Sequence, residues 1–182
     1  MTHTAVAEPS LRQRASMGNA LSGGSTLVMA TGEVRVETVA PRKLAAVRRE
    51  VQIRDIARAF KPALDEVWKF LGTQPGLRNE GHNLFLYHHG AGRNAPMTVD
   101  FGVEVTRSFD PAGEVFATET PAGQAAVALH TGSYASLVTT HDAIHAWCKA
   151  QGRVIAELSW ELYGDWTDDE SKLETTVFYL LK

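Results

Sequence analysis

The sequence predicts an α+β fold made of two pseudo-symmetric β-β-α-β-β repeats. Three observations predict it: a collinear internal repeat, segments of alternating apolar residues, and two long apolar stripes at helical spacing. "PRKLAAV" (41–47) lies over "PAGQAAV" (121–127), an offset of 121 − 41 = 80. Further on, "LFLY" (84–87) lies over "WELY" (160–163), an offset of 160 − 84 = 76. One short deletion between Gly152 and Trp160 absorbs the change. The repeats therefore run over 33–110 and 111–182, within one domain of residues 33–182.

Each repeat opens with a strand, "EVRVETV" (33–39) or "EVFATET" (114–120). A proline-containing turn follows, then "KLAAVRRE" (43–50) or "QAAVALH" (124–130). These segments alternate apolar and polar residues, the period of a half-buried strand. The helix of repeat one rests on Ile53, Ile56, Ala57, Phe60, Leu64, Val67, Trp68 and Leu71, which form one stripe. Pro62 lies inside it and predicts a kink or break near Phe60–Lys61. The helix of repeat two starts at Ser133 as N-cap and stops at Gly152 as C′ residue, with Leu137, Ile144, Trp147 and Cys148 on its buried side. Two strands close each unit, at 83–89 and 97–105, then at 157–163 and 173–181. If the two sheets join, both helices cover one face and leave the other as a free, concave cleft surface.

The 182 residues are 44% apolar, ordinary for a globular chain. A net charge of -3 argues against a nucleic-acid footprint, which is usually basic. No apolar run is long enough to span a membrane. The single Cys148 excludes an internal disulfide framework, and with no leader visible the expected location is cytoplasmic. Residues 1–32 are rich in Ala, Ser, Thr and Gly without an aromatic, and read as a mobile tail with at most a short helix at 11–21.

"AAVALHTGSYASLVTTHDAIHAWCKAQG", then "WELY", then "LETTVFYLL" resembles the second half of the GyrI-like family, also called the AraC-type effector-binding domain. The matching features are Gly132/Tyr134, Trp147/Gly152, Trp160-Glu161-Leu162-Tyr163 and Thr175-Thr176. The resemblance covers about residues 33–182. It implies two SHS2-type units about a pseudo-twofold axis, with a cleft between them for small cationic or hydrophobic molecules. It also implies that Glu161 meets the ligand's positive charge. In repeat one, "EVQIRD" replaces "HTGSYA", so the Gly-x-Tyr helix start is missing there.

Strand alternation sorts the site residues. In "SWELY", Trp160 and Leu162 share one face and Glu161 and Tyr163 the other. The helix-covered face is expected to be the more apolar, so Trp160 and Leu162 read as core and Glu161 and Tyr163 as cleft. Through the repeat, Phe85 and Tyr87 join the cleft while Leu84 and Leu86 join the core. His130, Trp166 and Phe178 complete the expected lining, with Ala126 and Ala128 leaving space. An aromatic box around one acid suits an organic cation.

Other motifs carry less. "HDAIH" (141–145) has metal-pair spacing, but Asp142 stands where a zinc-peptidase glutamate would be and no third ligand follows; both histidines read as a polar helix flank, and no metal is expected. "YHHGAGRN" (87–94) reads as a hairpin loop, with His89 at the cleft rim. "DWTDDES" (165–171) reads as a solvated loop. Cys148 lies on a helix stripe and reads as inert, and no nucleophile elbow is present. The leading expectation is a free-standing protein that senses or sequesters a small molecule, without a cofactor, a membrane or direct nucleic-acid contact. Three rivals stand beside it: a hydrolase opening strained electrophiles with Glu161 and Tyr163, a partner of a topoisomerase or a regulator, and a heme binder through His88 or His130.

Overall fold

The computed structural model describes residues 30–90, 92 and 95–182. Residues 1–29 of the expected tail, with the 11–21 segment, lie outside these. Among the described residues, nine strands and two helices follow one another as β1 (Ala30–Thr31), β2 (Arg35–Val39), β3 (Lys43–Val51), α1 (Ile56–Gly72), β4 (Asn83–His88), β5 (Met97–Glu104), β6 (Val115–Glu119), β7 (Gly123–Thr131), α2 (Leu137–Ala150), β8 (Ile155–Tyr163) and β9 (Glu174–Leu181). Single 3-10 turns, Ile53–Asp55 and Tyr134–Ser136, lead into the two helices. Within the described part of the expected tail, Ala30–Thr31 pairs with β7 and the Gly32 amide donates to the Leu129 carbonyl at 2.7 Å.

All strands join one antiparallel sheet in the order β1-β7-β9-β8-β4-β5-β3-β6, with β2 also paired to β7. The β2–β7 and β3–β6 pairings mean that the first strand of each repeat pairs with the other repeat. The halves meet in the middle at β4–β8, where Leu84 faces Leu162, Phe85 faces Glu161 and Leu86 faces Trp160. At an offset of 76, Phe85 is the repeat counterpart of Glu161. The residue opposite Glu161 is thus its own counterpart, so the pseudo-twofold axis passes between these two.

The register also corrects the repeat alignment. Ala45 pairs with Val103, and Ala126 pairs with Tyr179. Since 179 − 103 = 76, Ala45 corresponds to Ala126, an offset of 126 − 45 = 81 where the sequence match gives 80. The helices agree, since α1 starts at Ile56 and α2 at Leu137, again 137 − 56 = 81.

Curvature follows from connectivity. Residues 40–42 join β2 to β3, and 120–122 join β6 to β7, strands that belong to opposite ends of the sheet. A link of this length reaches at most about 14 Å, so the two ends must approach. The Thr120 amide donates to the Arg42 carbonyl at 3.0 Å, and the Arg42 amide donates to Thr120 Oγ1 at 2.9 Å. The sheet curls, and its inner face fills with Leu44, Leu84, Leu86, Val127, Trp160 and Phe178. Trp160 stacks on Phe178 with ring centres 5.0 Å apart.

Both helices cover the other face. α1 packs Phe60, Ala63, Leu64, Val67, Trp68 and Leu71 on Val47, Phe85, Val99 and Phe101. α2 packs Leu137, Ile144 and Cys148 on Ala126, Ala128 and Val177. This reverses one expectation: Trp160 and Leu162 belong to the face without helices, and Glu161 and Tyr163 to the face that carries them. Alternation separated the two sets correctly, but both faces are apolar, so hydrophobicity could not say which one the helices take. Pro62 does not break α1. A helix-interior proline costs about 3 kcal/mol, whereas each large side chain buried along the stripe returns about 1.5–3 kcal/mol.

Trp160 and Phe178 hold the inner face without help from a helix. Trp160→Ala should cost about 3–5 kcal/mol in urea unfolding, while Val154→Ala, at an exposed position, should change stability by less than about 0.5 kcal/mol.

Candidate functional site

Between α1 and α2, above the centre of the sheet, lies a cavity of about 510 Å³. The repeats supply matching positions to its walls. Ile53, Ile56, Ala57 and Phe60 line it from the α1 side, and Tyr134, Leu137, Val138 and His141 from the α2 side, each pair 81 apart. Phe85 and Glu161 form the floor beside Tyr87 and Tyr163. The chemistry, unlike the shape, is asymmetric. Repeat one places Phe60 against Phe85 with ring centres 6.0 Å apart. At the corresponding positions repeat two places His141 Nε2 at 2.8 Å from Glu161 Oε1.

Glu161 is only 5% exposed. Tyr87 donates its hydroxyl to Oε2 at 2.7 Å, and Tyr163 donates to the same oxygen. Burial pushes the Glu161 pKa up, but His141 and the two tyrosines outweigh it and hold the carboxyl below the ordinary glutamate value. Burial first, and then the Glu161 charge, push Tyr87 and Tyr163 well above the usual phenol range, so both remain donors. Burial likewise raises Tyr134, to about 12. An ionised carboxylate accepts at about four positions, so three donors leave about one acceptor on Oε1.

A hydrogen-bond chain continues from His141. Its Nδ1 lies 2.8 Å from the Tyr179 hydroxyl, and Ser159, which pairs with Tyr179 across the β8–β9 ladder, has its Oγ 2.7 Å from His89 Nε2. His89 stacks on Tyr179 with ring centres 6.0 Å apart. Burial, then the neighbouring His141, His145 and His88, lower the His89 pKa.

Of the residues expected at the site, the fold brings together Glu161, Tyr163, Tyr87 and Phe85, with His89 at the edge. Three others lie elsewhere. His130, near the end of β7, is fully buried beneath the start of α2, 2.8 Å from Thr140 Oγ1 and 3.1 Å from the Ser133 carbonyl and Ser136 Oγ. Phe178 lies on the inner face, because Val177 pairs with Glu161 and Phe178 pairs with Trp160. Trp166 lies on the loop after β8 and not on the cavity wall. The strand alternation for β9 is one residue out of phase with the expected one, so Tyr179 and not Phe178 reaches the cavity. His141 was assigned to a polar flank; the offset of 81 that places it opposite Phe60 is visible only in the pairing. Among the described residues no group of three or more metal-type side chains is assembled, and no helix is long and apolar enough to cross a membrane.

Paired repeats with two helices flanking a central cavity define a small-molecule-binding class of domain. The chain belongs to the GyrI-like family: the GyrI-like small molecule binding domain matches residues 32–182. Among solved structures, the EcmrR C-terminal domain is similar at 18% identity with a TM-score of 0.69, covering 82% of this chain and 97% of that one. SAV2435 bound to tetraphenylphosphonium is similar at 16% identity and 0.65, covering 82% and 94%. A hydrolase from Listeria innocua is similar at 10% identity and 0.59, covering 82% and 92%. At these identities the likeness is one of fold. No curated protein matches the sequence.

The depressed Glu161 pKa has a sign. A carboxyl that titrates lower in the folded than in the unfolded chain contributes stability above the ordinary glutamate pKa and loses it as pH falls through the depressed value. Thermal midpoints of the free protein should fall on acidification below about pH 4.5, and Glu161→Gln should flatten that part of the profile.

Proposed function

We propose that this domain binds an amphipathic organic cation in the cavity between its helices. One observation carries the proposal: a single ionised carboxylate, Glu161, lies on the floor of a cavity whose other walls are largely aromatic and aliphatic. The apolar part of a ligand fits the repeat-one side, against Ile56, Phe60, Phe85 and Met97. Its charge fits the repeat-two side, next to Glu161 and the faces of Tyr134 and Tyr163. A desolvated cation–π contact contributes about 2 kcal/mol, and the carboxylate adds Coulomb attraction. The resemblance to SAV2435, solved with a lipophilic cation, supports this ligand class. The protein would sense or sequester such a compound.

A second reading, hydrolysis with Glu161 and Tyr163, has the likeness to a Listeria innocua hydrolase in its favour. The electrostatics favour binding. A general base works best with a pKa near the operating pH, and Glu161 is held below even an ordinary glutamate.

Titration calorimetry with tetraphenylphosphonium separates these. The wild type should bind it, and Glu161→Gln, which keeps size and removes charge, should weaken binding by roughly tenfold or more. Equal affinities would remove Glu161 as the anchor and overturn the proposal. Turnover of an epoxide or cyclopropane electrophile that vanishes in the same variant would favour the hydrolase.

A further inference from the structure

We infer that His141 sets the charge preference of the cavity by proton-linked binding: an organic cation binds next to Glu161 only as the His141 imidazolium releases its Nδ1 proton. This inference rests on the cavity being the cation site.

The geometry assigns each hydrogen. Ionised Glu161 only accepts, so His141 Nε2, at 2.8 Å from Oε1, must donate in every state. Only Nδ1 can then change. When it is bare, it accepts from the Tyr179 hydroxyl; when protonated, it donates to that oxygen. Either state keeps the Nδ1–Tyr179 hydrogen bond without moving a heavy atom. The side chains therefore hold both protonation states in one arrangement.

The two states differ in what they attract. Imidazolium next to Glu161 makes the pair neutral, and the cavity then favours neutral apolar molecules. Neutral His141 leaves the carboxylate charge uncompensated, with one acceptor free, and the cavity favours a cation. The other groups around His141 do not replace it as a counter-charge: burial and the neighbouring histidines disfavour a charge on His89. Tyr87, Tyr163 and Tyr179 are neutral donors or acceptors. His130 is engaged by Thr140, Ser133 and Ser136. On α2 itself, His145 sits edge-on to Tyr179, and Asp142 influences Tyr179. Across the cavity, Arg54 is largely exposed next to Asp55. The proton balance is simple: the Nδ1–H bond breaks, the proton passes to buffer, and the ligand cation takes its place as partner of Glu161.

The test uses tetraphenylphosphonium and neutral triphenylphosphine oxide between pH 5.5 and 8, where histidine side chains change charge. For the wild type, cation affinity should fall about tenfold per pH unit on the acid side. Calorimetry in buffers of different ionisation enthalpy should show release approaching one proton there, and none with the neutral probe. His141→Gln, whose amide can still donate to Glu161 but does not titrate, should bind the cation with flat pH dependence. Cation binding that is flat in the wild type, or equally steep in His141→Gln or with the neutral probe, overturns the inference while leaving the cavity as the site. Failure of the wild type to bind the cation at any pH overturns both. If the variant does not fold, the absence of proton release from the wild type on the acid side still overturns the inference.

Discussion

The β4–β8 ladder is the seam on which the rest of this domain depends. It places Phe85 directly opposite Glu161 on the pseudo-twofold axis, and it makes two half-sheets into one. The exchanged first strands then lock the halves, because β2 completes the edge of repeat two and β6 that of repeat one. With links of three residues between exchanged and native strands, the sheet must curl. Curling hides the inner face without any helix, which lets both helices pack on the outer face. They leave a gap where the axis emerges, and the cavity is that gap.

A charge at such a place is costly unless it is satisfied. Glu161 is satisfied by donors from three elements: Tyr87 from β4, Tyr163 from its own strand and His141 from α2. None is close to it in sequence except Tyr163. The carboxylate thus ties the central seam to the second helix. The first helix has no tie to the carboxylate; at the corresponding place it sets Phe60 against Phe85, within a wider apolar contact. The two halves of the cavity wall differ in the forces that fix them, although their backbones match.

Much of this was legible in the chain. The alternation of "SWELY" separated Trp160 from Glu161, and the repeat singled out Phe85 as the counterpart of Glu161. Stripe spacing marked both helices, and Ser133 and Gly152 marked the ends of the second. What was not legible concerned register and side. A one-residue error in the repeat offset, 80 in place of 81, concealed that His141 answers to Phe60. The same kind of one-residue ambiguity in β9 put Phe178 where Tyr179 belongs, because a strand's two faces exchange on a single step. His130 looked like a cleft residue by alternation; the start of α2 covers it. Strand exchange left no trace in either repeat alone, since the pattern of an edge strand does not name the strand it pairs with.

The position of Glu161 on the axis has a consequence for how such a domain can arise. A homodimer of one repeat would set two identical residues face to face at its dyad. Two phenylalanines there would close the floor with grease, and two carboxylates directly opposite would repel each other. A lone acid on a dyad is impossible for identical subunits. Joining two copies in one chain lifts that restriction, because each copy can then drift by itself. The carboxylate at 161 facing a phenyl ring at 85 is something that two unequal halves can hold and two identical ones cannot.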